Sequence, residues 1–182
     1  MLDYEIREVL CCYIDTKNEK VRIMDEIVIG NARADIVTVT DCLTGYEIKS
    51  DKDSYIRLPA QIKAYDNYFQ DNYIVVSKKF IKTAATKVPD YWGIIYVYSS
   101  EIEQKIIIIR EPGFNPKFKI KKQLSLLWRN ELTNIMVINK LPKYTRKRKS
   151  QVCDILIDRV SVDILTKQVC HELFERDWTK YM

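Results

Sequence analysis

Apolar and polar positions along this chain follow two periods. In residues 3–14, Ile6, Val9, Leu10 and Tyr13 fall at helical spacing, and Asp3 stands where a first-turn cap is expected. Residues 24–29 and 34–39 are short β-branched runs separated by Gly30-Asn31, a pair suited to a tight turn with positive φ. A third strand is expected over 43–49, after the loop Thr40-Asp41-Cys42. Leu58-Pro59 then opens a helix to about Phe69, with proline near the first helical position. The pattern next predicts a strand from Tyr73 to Ser77, a helix over 79–87, a strand from Trp92 to Tyr98 and an edge strand over 102–110. Past the break at Glu111-Pro112-Gly113 and Pro116 it turns helical, over about 121–135, 148–158 and 161–176, with Ser161 capping the last. The order α-β-β-β-α-β, continued by α, β and then helices, predicts an α/β fold. Its core would be a mixed central sheet flanked by helices, with a C-terminal helical extension. Residues 1–113 are expected to form the core, and 114–182 a basic helical extension packed on or appended to it.

Composition narrows the function classes. The 182 residues are 47% hydrophobic and 30% charged, enough apolar side chain to offset chain entropy. One His and four Gly argue against His-based zinc sites, His-dependent triads and Gly-rich phosphate loops. The five Cys include no CxxC pair, and their odd number is no disulfide framework; buried thiols in a reducing cytoplasm are expected. The opening MLDYEIREVL carries Asp and Glu at once, unlike a signal peptide, and the longest apolar run, Ile106–Ile109, is far short of a membrane span. His171, among Val169, Leu173 and Phe174, reads as structural, and Trp92, Trp128 and Trp178 as packing residues.

Charge is unevenly placed. Residues 1–113 hold 15 Lys/Arg against 18 Asp/Glu, whereas 114–182 hold 15 against 7. The run Lys143, Arg146, Lys147, Arg148, Lys149, with Tyr144 inside it, is expected to contact a phosphate backbone with salt-dependent, sequence-independent affinity. Arg57, just before the second helix, is a further candidate phosphate contact.

The segment Asp25–Lys49 carries the chemistry. If Gly30-Asn31 is a two-residue turn, Ile29 pairs with Ala32 and Glu26 lies opposite Asp35. If Thr40-Asp41-Cys42 is a three-residue loop, Val39 pairs with Leu43 and Asp35 lies opposite Glu47. Three acids from three adjacent strands then share one row, and Lys49 projects from the same face as Glu47. Opposed like charges destabilise a sheet, so such a row calls for a compensating cation. A hard divalent ion with oxygen ligands, Mg²⁺ or Mn²⁺, is the natural one. Solvent-facing strand residues paired with Lys and Arg are the alternative.

Asp35, then Glu47-Ile48-Lys49 at the end of a β-hairpin, resembles the PD-(D/E)XK nuclease superfamily. Gln61-Ile62-Lys63-Ala64-Tyr65 is similar to the QxxxY element of its RecB-type members. Together with Arg33-Ala34-Asp35-Ile36 and Arg57-Leu58-Pro59-Ala60, the segment resembles short bacterial and phage members. The resemblance covers about residues 3–98, and Ala34 stands where the family's proline would precede the acid. It implies a restriction-endonuclease-like fold and a Mg²⁺- or Mn²⁺-dependent phosphodiesterase acting on nucleic acid, most often DNA. It implies Asp35, Glu47 and the Ile48 carbonyl as metal ligands, with Glu26 an extra one. Lys49 would orient the attacking water, and Gln61 and Tyr65, one helical turn apart, would lean over the site. Two rival readings remain: an inactive nucleic-acid-binding module, and an interaction or inhibitor protein with a protein partner or a second copy of itself.

Overall fold

The structure is a computed structural model that describes residues 1–99 and 104–177. Among the described residues six strands form one sheet, in the order in which they occur along the chain. They are β1 (Arg22–Ile29), β2 (Ala32–Val39), β3 (Leu43–Lys49), β4 (Asp71–Val76), β5 (Gly93–Ser99) and β6 (Gln104–Arg110). The first three are antiparallel neighbours; β4 lies parallel to β3 and β5 to β4, and β6 returns antiparallel. The helices are α1 (Asp3–Lys17), α2 (Leu58–Tyr68), α3 (Ile120–Leu124), α4 (Arg129–Ile138), α5 (Lys149–Arg159) and α6 (Val162–Glu175). This is the expected α/β class, a mixed sheet flanked by helices with a C-terminal helical region.

Each face of the sheet carries its own core. On one face α1 lays Ile6, Leu10 and Ile14 against Ile36, Tyr46, Ile48, Tyr73, Val75, Ile95 and Val97. Each of those helix side chains, fully buried, contributes about 1.5–3 kcal/mol. On the other face α2 contributes Leu58, Tyr65 and Tyr68, and α3–α6 contribute Leu124, Leu132, Ile135, Leu156, Leu165, Val169 and Leu173. The basic C-terminal helices therefore share one hydrophobic core with the sheet.

Several local expectations are corrected. Asp3 does not cap α1; the Glu5 carboxylate accepts the Leu2 N–H at 2.5 Å instead. The expected helix over 79–87 is a run of turns with one 3₁₀ turn at Ala84–Thr86. The span 121–135 is split into α3 and α4, and Trp128 stands at the N-cap of α4, where the Glu131 carboxylate accepts its N–H at 2.6 Å. Residues 102 and 103 of the expected edge strand, and Trp178, lie outside the described residues. Cys153 and Cys170 are buried, but Cys12 is exposed, and all five cysteines are free. His171 lies on the exposed face of α6. Among the described residues no helix is long and apolar enough to cross a membrane.

Candidate active site

Loop lengths position the site. The Gly30-Asn31 turn, with Gly30 at φ +65°, pairs Ile29 with Ala32, and the 40–42 loop pairs Val39 with Leu43. Both registers are those the loops predict. The β2–β3 ladder ends at Ile36 and Tyr46. Just beyond it the Asp35 carboxylate accepts the Ile48 N–H at 2.8 Å, so a side chain closes the strand pair where backbone pairing stops.

Glu47 and Lys49 lie two residues apart on β3, facing α2. Both are buried, 1% and 2% exposed, and Lys49 Nζ donates to Glu47 Oε1 at 2.5 Å and to Gln61 Oε1 at 3.1 Å. The second carboxylate oxygen, Glu47 Oε2, is buried with no hydrogen-bond partner. Tyr65, one turn beyond Gln61 on α2, is fully buried. Its hydroxyl accepts the Asp35 N–H at 3.1 Å and donates to the Tyr46 carbonyl at 3.1 Å. It thereby ties α2 to β2 and β3 at the level of the acids. Gly45 lets α2 come this close: a Cβ there would stand 2.4 Å from the Phe69 ring and 2.8 Å from that of Tyr65.

The electrostatics are those of a crowded acidic floor. Burial, then the neighbouring charge of Glu47, push the Asp35 carboxyl up to about 7, against the pull of the Ile48 N–H, Arg7 and Lys49. Burial also raises Glu47, and the Lys49 ammonium opposes the shift. The Tyr65 phenol is held well above its ordinary range, first by burial and then by the two acids, so it stays neutral.

Glu26 does not join this pair. The β1–β2 ladder passes from Asp25–Ile36 to Ile27–Ala34 without a Glu26–Asp35 pair, and Glu26 sits at φ +57°, a left-handed conformation rare for glutamate. Its carboxylate is taken by Arg7, at 2.7 Å, and by Arg33. Arg7, on α1, also donates to the Asp35 carbonyl at 2.7 Å and lies 2.5 Å from Asp3, 3.6 Å from Asp25 and 3.4 Å from the Asp35 carboxylate. A guanidinium thus supplies part of the compensation that a row of acids requires. The sequence pattern gave no signal for it, because nothing in α1 marks which strand residue Arg7 meets. Among the described residues no group of three or more His, Cys, Asp or Glu side chains is placed to hold a metal ion.

Asp35, Glu47, Lys49 and Gln61 floor an open cleft of 1420 Å³. One wall is the β1–β2 hairpin from Glu26 to Arg33; the other is the 50–57 segment with the exposed face of α2, and Lys122 of α3 also lines it. Arg57, the N-cap residue of α2, lies on this lining, as do Ile48, Gln61 and Lys63. The basic run does not: Lys143, Arg146, Lys147 and Arg148 are exposed on the α4–α5 connection, and Lys149 opens α5 with its ammonium on the Ser125 carbonyl at 2.7 Å.

The arrangement is that of an α/β protein with a buried acid–lysine centre at the bottom of a cleft. Over residues 5–180 the chain matches the family described as Bacteriophage P4 protein cII, and it belongs to that family. Protein cII of Enterobacteria phage P4 is 28% identical to it over 116 residues. That alignment takes in 63% of this chain and 44% of the phage protein, so the chain spans less than half the length of that relative. No solved structure matches the chain.

Proposed function

We propose that this chain is a metal-dependent nuclease that hydrolyses phosphodiester bonds, with DNA the favoured substrate, on a restriction-endonuclease-like core. The observation that carries the reading is the meeting of Asp35, Glu47 and Lys49 on β2 and β3 beneath Gln61 and Tyr65 of α2, on the floor of a cleft. The residues fit a hard cation. Glu47 Oε2 is a buried carboxylate oxygen with no partner, and Asp35 offers a second carboxylate that burial, then the charge of Glu47, drive toward its protonated form. In this reading Asp35, Glu47 and the Ile48 carbonyl would hold Mg²⁺ or Mn²⁺, with Glu26 left to Arg7 and Arg33. A bound ion supplies Lewis-acid activation of the phosphoryl oxygen and a water of lowered pKa. Lys49 brings a positive charge to the reacting phosphate, Gln61 fixes its ammonium, and Tyr65 holds the Asp35 backbone in register.

A second reading keeps the fold and drops the chemistry. Arg7 already neutralises the acids around Asp35, and Lys49 is committed to Glu47, so the cleft would serve a binding module without a metal. Incubating the chain with labelled single-stranded DNA, duplex DNA and RNA, with Mg²⁺ or Mn²⁺ and then with EDTA, separates the two. Cleavage that needs the ion and is lost in Glu47→Gln and Lys49→Ala supports the nuclease. Full cleavage by Glu47→Gln, or none by the unaltered chain on any substrate, removes it.

A further inference from the structure

We propose that the cleft is a track for one nucleic-acid strand, in which Lys52, Arg57, Lys63 and Lys122 hold phosphates and Val28 and Ile56 meet bases. This rests on the reading of the cleft as the place where a phosphodiester is bound. All four cations line the cleft and are exposed, and none makes an ion pair among the described residues. Lys122 lies 5.9 Å from the centre of the Tyr68 ring, a contact that leaves its charge uncompensated. Unpaired like charges along one groove repel one another, and a polyanion relieves that repulsion by releasing its own counterions. The basic run at 143–149 lies outside this lining.

Two apolar side chains stand among these charges. Ile56 is 87% exposed and Val28 67% exposed, one on each wall of the cleft. An unpaired base beside a phosphate-binding groove leaves its face free, and an aliphatic side chain there covers part of it from water by apolar contact, without the stacking an aromatic ring would add. A duplex turns its base faces into its own stack and has nothing to offer Val28 and Ile56. Depth argues the same way. Glu47 and Lys49 are 1% and 2% exposed, so a phosphate must descend between the walls to approach them. A flexible single strand can thread downward, whereas a duplex holds its phosphates on a stiff, wide cylinder.

The test is fluorescence anisotropy of the full chain in EDTA, where binding is read without cleavage. The probes are a labelled mixed-sequence single strand and the blunt duplex of the same sequence, titrated at several salt concentrations. The single strand should bind at least tenfold tighter. Replacing Lys52, Arg57, Lys63 and Lys122 by Gln should flatten the log–log salt slope by about 3, at ~0.7 per lost single-strand contact. Val28→Thr with Ile56→Asn, which add no charge, should weaken the single strand several-fold and leave the salt slope unchanged, and these surface positions leave the fold intact, as thermal melts will show. Equal or tighter binding of the duplex overturns the proposal, as does no binding of either probe. So does a slope unchanged in the quadruple variant, or one lost instead on neutralising Arg146, Lys147, Arg148 and Lys149. Single-strand preference in EDTA without cleavage in Mg²⁺ would sink the nuclease alone. Cleavage with a duplex preference would sink the strand track alone.

Discussion

Replacing Asp35 by Asn should stabilise the metal-free protein, chiefly at neutral or alkaline pH. The carboxyl is lifted from its ordinary 3.8 to about 7, chiefly by burial and then by Glu47. The folded chain therefore keeps a proton that the unfolded chain gives up above pH 4. Stability that is fully present below pH 4 is lost as pH rises through 7, and three units correspond to roughly 4 kcal/mol. Asn carries no charge at any pH, and its amide oxygen can still accept the Ile48 N–H. It forfeits the attraction of Arg7, 3.4 Å away, so the expected gain at pH 8 is about 2–4 kcal/mol, smaller by roughly 3 kcal/mol at pH 5, two units below the folded value. Urea unfolding in EDTA at both pH values, followed through the buried Trp92, reads the difference. Glu47 is raised too, with the same sign, and losing the Asp35 charge relieves its repulsion in the same direction. Mg²⁺ added at pH 8 should raise the midpoint of the unaltered protein and leave the variant's unchanged. A variant equally destabilised at pH 5 and pH 8 would refute the picture of Asp35 as a charge held against its preference.

Lys49→Met should leave Glu47 buried beside Asp35 without its cation, costing roughly 3–5 kcal/mol at pH 8 and less on acidification; the same urea titration measures it. Arg7→Gln should release Glu26 and the Asp35 carbonyl, cost about 1.5–3 kcal/mol, and speed amide exchange in β1 ahead of the rest of the sheet. Tyr65→Phe should leave the Asp35 N–H and the Tyr46 carbonyl without their partner, with a loss of about 1–3 kcal/mol in thermal or urea unfolding. Gly45→Ala should drive a methyl into Phe69 and Tyr65, destabilising by about 1–3 kcal/mol and lowering cleavage more than the stability loss explains.

The strands of the first half were legible because their loops are short. Two residues between Ile29 and Ala32, and three between Val39 and Leu43, leave little choice of register, and a slip of one would turn every apolar side chain outward. Asp35, Glu47 and Lys49 could be placed together for that reason, and Gln61 and Tyr65 by helical spacing. Glu26 could not, because alternation assumes β geometry and its backbone leaves that geometry at φ +57°. Arg7 escaped notice because, Asp3 aside, its partners lie 18 to 28 residues away on strands, a tertiary fact with no local period. The 121–135 segment reads as one helix by its apolar spacing, yet the chain breaks before Trp128, where the Glu131 carboxylate takes the freed N–H. The cleft cations are scattered over the loop after β3, α2 and α3, so among them only Arg57 stood out in the sequence, beside the conspicuous run at 143–149.

The shared core has a consequence for how the protein is made. Strands that neighbour one another in space in the order of synthesis can pair as they leave the ribosome, and β1–β3 with α2 already hold every group of the acid–lysine floor. The sheet face behind them cannot dry until the last helix arrives, because Leu165, Val169 and Leu173 of α6 complete the same cluster as Val39 and Leu43. Arg22 at the start of β1 meets the Phe174 carbonyl near the end of α6, a closure spanning 152 residues. A nascent chain halted before residue 160 therefore carries the site on an open, sticky sheet, prone to pair wrongly, and the arrival of α6 marks the moment the fold locks.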